Sequence, residues 1–167
     1  MKVSLRVINE TDKNIIYNWV SCAELRKMIG TTKAPTHESH EIWFRKKIQD
    51  TENKTCVILA DGLPVGLIGT NTIDDNSHNA NMYIYIGEKG NRGSGIGTSA
   101  VKLFIEYLFK ELDIHKITAN VFEYNIPSVN LFTKCGFFLE GTQKEQILYE
   151  GKYYDMLWFG IIRPCDF

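Results

Sequence analysis

At 167 residues, 44% hydrophobic and 23% charged, the chain has the length and balance of one soluble domain around a single core. Its formal net charge of -1 supplies no basic surface for nucleic acid or for an anionic membrane. The Met1-Lys2-Val3 start runs into alternating residues with no apolar signal core, and no window nears the roughly 20 apolar residues that span a bilayer, so a cytoplasmic protein is expected.

Residues 4–8 alternate as a short strand. Thr11-Asp12 is placed to cap a helix whose apolar residues Ile15, Ile16, Trp19 and Val20 fall at helical spacing. Residues 30–35 read as a loop, and Thr36 caps a second helix, His37–Gln49, carrying Ile42, Trp43, Phe44 and Ile48. The period then changes. Residues 56–60 are a β-rich run, Asp61-Gly62 is a hairpin turn, and residues 65–73 supply the partner strand. After a polar turn at 74–79 comes a third strand at 80–87, in which Met82, Ile84 and Ile86 alternate with Tyr83 and Tyr85. Three strands on short turns make an antiparallel meander.

Gly90-Asn91-Arg92-Gly93-Ser94-Gly95-Ile96-Gly97 follows, directly before a helix with Ile96, Ala100, Leu103, Phe104, Tyr107 and Leu108 on one face. Lys116–Phe122 is another strand and residues 126–135 another helix, with Pro127 in its first turn and Gly136 at its stop. A long hairpin closes the pattern: residues 137–149, a Glu150-Gly151 turn, and residues 153–162. No linker or repeat divides the chain, so residues 1–167 read as a single mixed α/β domain. Cys22, Cys56, Cys135 and Cys165 lie far apart with no Cys-x-x-Cys pair, which argues against a metal site and against a disulfide framework.

The order strand, Arg-Gly-Ser-Gly-Ile-Gly, helix carries the chemistry. Glycines at 93, 95 and 97 let backbone approach a ligand closely, and N–H groups at a helix start face an anion with help from the helix dipole. Arg92 adds a permanent positive charge. A Walker A loop needs Gly-Lys-Ser/Thr, whereas here Thr98 follows Gly97 with no lysine. A dinucleotide fold needs Gly-x-Gly-x-x-Gly after the first strand of a parallel unit, and this loop follows a meander. A ligand-free glycine turn is the plain alternative.

Arg92, Gly95 and Gly97 fit Gln/Arg-x-x-Gly-x-Gly/Ala, and the loop resembles the pyrophosphate-binding loop of the GNAT N-acetyltransferase superfamily. Asn125-Ile126-Pro127-Ser128, followed by Phe132-Thr133-Lys134-Cys135-Gly136-Phe137, is similar to that family's second signature. The resemblance implies a mostly antiparallel twisted sheet of six or seven strands flanked by about four helices, with the fourth and fifth strands splayed apart. It implies acetyl-coenzyme A as cosubstrate and no metal. Backbone of Ile84, Tyr85 and Ile86 would meet the pantetheine amides, and Arg92, Gly93, Ser94, Gly95, Ile96, Gly97 and Thr98 the pyrophosphate. Asn125, Asn130, Phe132 and Lys134 would line the coenzyme side of the following helix.

Acetyl transfer to an amine needs a proton acceptor and a donor to the leaving thiolate. Many family members have a tyrosine where this chain has Phe132, which cannot donate a proton. Ser128 and Tyr85 are candidate donors and Glu123 a candidate base. Trp19, Arg26, Met28, His40 and Trp43 resemble residues of family members that acetylate amino groups on nucleotide-linked sugars, and they are the expected acceptor-binding residues. A polyamine, an aminoglycoside or a protein N-terminus is an alternative acceptor, and a coenzyme-binding module without catalysis is an alternative function. The terminal hairpin could serve a homodimer.

Overall fold

The computed structural model describes residues 1–165. Strand β1 (Val3–Val7) leads into a short 3-10 turn capped by Asn9, whose side chain accepts from the Thr11 N–H at 3.0 Å. Asp12 was expected to cap helix α1 (Lys13–Ser21), but its carboxylate takes the Arg6 guanidinium at 2.7 and 3.0 Å and the Asn9 N–H at 2.8 Å. A charge 3% exposed needs such partners, and this one ties β1 to the start of α1. Extended backbone at Cys22 separates α1 from α2 (Ala23–Met28), a helix that sequence periodicity did not announce. Thr36 caps α3 (His37–Gln49) as expected, in a reciprocal pair with Ser39.

β2 (Thr55–Ala60), β3 (Leu63–Asp74) and β4 (Asn79–Ile86) form the meander. Its first turn sets both Asp61 (φ 48°) and Gly62 (φ 85°) in the left-handed region that a two-residue hairpin requires. Helix α4 (Ile96–Glu111) crosses over to β5 (Lys116–Phe122), which lies parallel to β4. Its buried face is Ile96, Ala100, Val101, Phe104, Ile105, Leu108 and Phe109, so the apolar stripe is rotated from the expected one and leaves Leu103 partly exposed. Helix α5 (Ile126–Lys134) and the hairpin of β6 (Phe138–Tyr149) and β7 (Lys152–Ile162) complete the chain. The sheet order is β1-β2-β3-β4-β5-β7-β6.

Seven strands and five α-helices among the described residues fulfil the mixed α/β expectation. The splay is visible in the register. β4 pairs with β5 only from Asn79–Lys116 to Met82–Ala119, while β5 stays on β7 as far as Phe122–Met156. Residues 83–86 therefore turn one backbone edge toward an open gap.

Two hydrophobic clusters hold the layers. One packs α4 and α5 on the sheet through Ile58, Ile68, Met82, Phe104, Leu108 and Ile117. The other packs α1–α3 on the opposite face through Ile16, Trp19, Leu25, Phe44, Val57 and Leu67. Trp19 lies across Gly87, where any Cβ would overlap its indole ring, and its N–H donates to Glu88 at 2.7 Å. No described helix is long and apolar enough to cross a membrane.

Candidate active-site cleft

The gap beside β4 opens into a cleft of about 570 Å³ between the 91–98 loop, α2 and the start of α5. Gly93 (φ 75°) and Gly95 (φ 87°) shape the loop. A Cβ at either would meet nothing within 4 Å, so the backbone conformation, rather than space, demands glycine. Gly95 is the N-cap of α4 and offers no side-chain oxygen, which leaves the first-turn N–H groups of a 16-residue helix without a side-chain cap.

Arg92 fixes the other side of the loop. Its Nε donates to the Ile86 carbonyl at 3.0 Å, Nη2 to the Gly87 carbonyl at 3.3 Å, and Nη1 to Glu24 at 3.1 Å. The arginine read as a phosphate ligand thus also stitches the loop to the end of β4.

Asn125 holds the opposite wall. Its side-chain oxygen accepts from the Ser128 N–H at 3.2 Å and its amide donates to the Met28 carbonyl at 3.0 Å. The neighbouring Tyr124 hydroxyl donates to the Lys27 carbonyl at 2.8 Å. Burial, with Tyr149 and Tyr154 beside it, pushes the Tyr124 phenol up to about 12. The Met28 carbonyl, left open at the end of α2, and the Lys27 carbonyl, which also accepts from the Gly30 N–H at 3.3 Å, are thereby answered from the β5–α5 turn.

Of the expected cosubstrate residues, Ile84, Tyr85, Ile86, Arg92, Gly93, Gly95, Gly97, Thr98, Asn125, Asn130 and Lys134 line the cleft. Three do not. Ile96 and Phe132 are core residues, the latter edge-to-face with Phe137 at 5.0 Å, and the Ser94 hydroxyl folds back to the Asn91 carbonyl at 2.6 Å. Phe132 therefore sits behind the cleft wall.

The catalytic candidates separate as clearly. Ser128 lines the cleft, and its hydroxyl has no protein partner among the described residues. Tyr85 contributes to the wall, but its hydroxyl is buried with no partner, and burial holds its phenol well above the ordinary value. Tyr83 bonds Thr55 at 3.2 Å and is likewise pushed up to about 12. Glu123 is exposed outside the cleft, where its carboxylate accepts from the Asp155 N–H at 2.9 Å.

Among the expected acceptor residues only Met28 lines the cleft. Trp19 belongs to the second core cluster and Trp43 packs against it, stacked on His40 at 5.6 Å. His40 is buried with Nε2 2.9 Å from the Lys13 carbonyl, and Arg26 donates to the Ser21 carbonyl. These four make packing or backbone contacts and do not line the cleft. Leu25 and Met28 of α2, with Ile29 at its C-cap, are the apolar residues of this segment that reach the cleft; their i, i+3, i+4 spacing was the available signal. Glu24 and Asn91 carried none.

The parts fit an anionic ligand with an extended arm: N–H donors and a helix N-terminus for phosphate, a free strand edge for amides, and apolar walls from Ile84, Ile86, Met28 and Leu131.

Three comparisons agree. The family profile described as "Acetyltransferase (GNAT) domain" matches residues 2–138. The chain is 27% identical over 161 residues, 96% of its length and 90% of the relative's, to the SPbeta prophage-derived uncharacterized N-acetyltransferase YokL of Bacillus subtilis. It is 28% identical over 124 residues to spermidine N(1)-acetyltransferase of Escherichia coli, covering 74% of this chain and 63% of that protein. The fold superposes with a TM-score of 0.88 on spermidine N-acetyltransferase from Vibrio cholerae in complex with CoA and spermine, at 24% identity, covering 96% and 95% of the two chains.

Proposed function

This chain belongs to the GNAT acetyltransferase family and is an acetyl-coenzyme A-dependent N-acetyltransferase, and from that premise we propose that its acceptor is a small polyamine. The observation that carries the reading is the open edge of β4 running into the uncapped start of α4.

Acetyl-coenzyme A supplies an activated acetyl thioester. The N–H groups of the 93–98 loop and Arg92 would hold its diphosphate, and the free edge at 83–86 its pantetheine amides. Backbone N–H groups on that edge are fixed donors suited to an oxyanion. Ser128, at the mouth of α5, would hold the proton that the leaving thiolate needs.

Two observations support the polyamine. A cluster of tyrosines, Tyr124, Tyr149 and Tyr154, adjoins the Asn125 wall, with ring centroids 4.8 and 6.0 Å from Tyr124. Lys152 places its ammonium 4.9 Å from the Tyr154 ring, the geometry in which an alkylammonium group meets an aromatic face. Spermidine acetyltransferases also stand among the relatives. The nucleotide-linked sugar is withdrawn, because Trp19, Trp43 and Arg26, the groups read as its partners, are engaged in packing and backbone contacts. A cytoplasmic site of action and a homodimer through the β6 edge are part of the same proposal.

Calorimetric titration of acetyl-coenzyme A, then thioester turnover with spermidine and simpler amines, tests it. We expect micromolar binding that the Gly95→Glu variant abolishes, and turnover fastest with spermidine. Binding without spermidine turnover removes the acceptor, whereas a wild type that does not bind removes the reading of the cleft.

A further inference from the structure

Among the residues lining the cleft, Glu24 alone is acidic. It stands in the first turn of α2, and its two oxygens go to different cations: Oε1 to Arg92 at 3.1 Å and Oε2 to Lys89 at 2.9 Å. Both cations belong to the segment between β4 and α4 that carries the glycine loop. Hydrogen bonding and charge from Lys89, then Arg92, hold the Glu24 carboxyl below its ordinary range, so it is an anion at neutral pH.

We propose that Glu24 is a competing anion built into the cosubstrate site, which holds Lys89 and Arg92 against the ligand's phosphates and sets its affinity below what the loop alone would give. The inference rests on the acetyl-coenzyme A reading. A phosphate brought to these cations must share them with a carboxylate or displace it, and like charges at hydrogen-bonding range repel. Displacement is easy, because the Glu24 side chain is half exposed and such pairs are weak in water.

The geometry distinguishes competition from support. Arg92 keeps two bonds that do not involve Glu24, from Nε and Nη2 to the carbonyls of Ile86 and Gly87. Removing the carboxylate therefore leaves the guanidinium in place with Nη1 freed for a phosphate oxygen. The other end of α2 is held independently, by Tyr124 and Asn125 on the carbonyls of Lys27 and Met28. Phosphate binding would release the Glu24 side chain while α2 stays anchored through Leu25 and at its last turn.

The test is calorimetric titration of the wild type, Glu24→Gln and Glu24→Ala with acetyl-coenzyme A and with acetyl-pantetheine, which lacks the phosphates, at two salt concentrations. We expect both variants to bind acetyl-coenzyme A about three- to tenfold more tightly, with steeper salt dependence and unchanged affinity for acetyl-pantetheine. Equal or weaker binding of acetyl-coenzyme A by both variants, beside a wild type that binds normally, overturns the proposal and makes Glu24 a support for Arg92. Tighter binding of both ligands alike also overturns it, since a phosphate competitor cannot act on a neutral arm. A wild type that binds neither ligand overturns the underlying reading of the cleft instead.

Discussion

Ser128 and Tyr85 show how one kind of group, a hydroxyl, is fitted or unfitted for proton transfer by its surroundings. Tyr85 has the more acidic group in water, yet burial without a partner favours its neutral form so strongly that giving up the proton is costly. Ser128 lines the cleft at the first turn of α5, its backbone N–H already bonded to Asn125, so its hydroxyl is free to turn toward a ligand or a water. A hydroxyl there can pass a proton to a thiolate while taking one from solvent. Ser128→Ala should lower kcat by about 10²-fold, the lower range for a positioned proton donor, with acetyl-coenzyme A affinity unchanged. Steady-state kinetics beside calorimetry separates the two quantities. An unchanged kcat would leave the proton to water. The Phe132 position, which sequence resemblance singled out, is buried and stacked in the core.

At the scale of elements, α2 has six residues, too few to be stable by itself, and it persists through what docks on it. Leu25 enters the second core cluster, and Tyr124 and Asn125 bond its last carbonyls. Asn125 joins three pieces, since the same amide caps α5. Asn125→Ala should cost about 2 kcal/mol of stability, combining a lost cap with a part-buried carbonyl left without its side-chain donor. Asn125→Asp keeps the capping oxygen, adds a charge that the start of α5 favours, and sets an acceptor against the Met28 carbonyl, so urea denaturation should rank it between wild type and the alanine variant. Equal losses would mean that the cap contributes nothing beyond the Met28 link.

The same helix marks the limit of what the sequence discloses. Strands 56–60 and 80–87, α3 with its Thr36 cap, and the glycine loop before α4 were legible because local period and turn chemistry determine them. The site's contents were less so. Trp19 turns inward because Gly87, 68 residues away, leaves room for its ring, and Asp12 forgoes capping because Arg6 is across from it. The first choice is not local, and the second depends on a strand residue six positions back. Glu24 reaches the cleft only because α2 folds back over the loop, a placement no spacing within 23–28 encodes.

Over the whole molecule, the sheet has two edges that differ in kind. β1 is five residues long, whereas β6 is twelve residues long and exposed along nearly all of its length. A long open edge invites pairing unless it is interrupted. The middle of β6 is interrupted, by Glu140, Lys144 and Glu145 and by register shifts between Leu139 and Gly141 and between Gln143 and Ile147. Its ends are not: Phe138 is 76% exposed, Leu139 55% and Leu148 55%. Two copies related by a two-fold axis would run their β6 edges antiparallel. The Phe138 end of one would then lie beside the partner's Leu148, and the charged middles would face each other where opposite signs alternate. Sedimentation velocity at micromolar concentration should therefore show a dimer, and Phe138→Lys combined with Leu148→Lys should give a monomer with unchanged circular dichroism, because both side chains are exposed within one copy. Since the cleft lies at β4 and α2, on the other side of β5 and β7 from this edge, the monomer should still bind acetyl-coenzyme A. A wild type that sediments as a monomer at every concentration would assign the β6 edge no role in self-association.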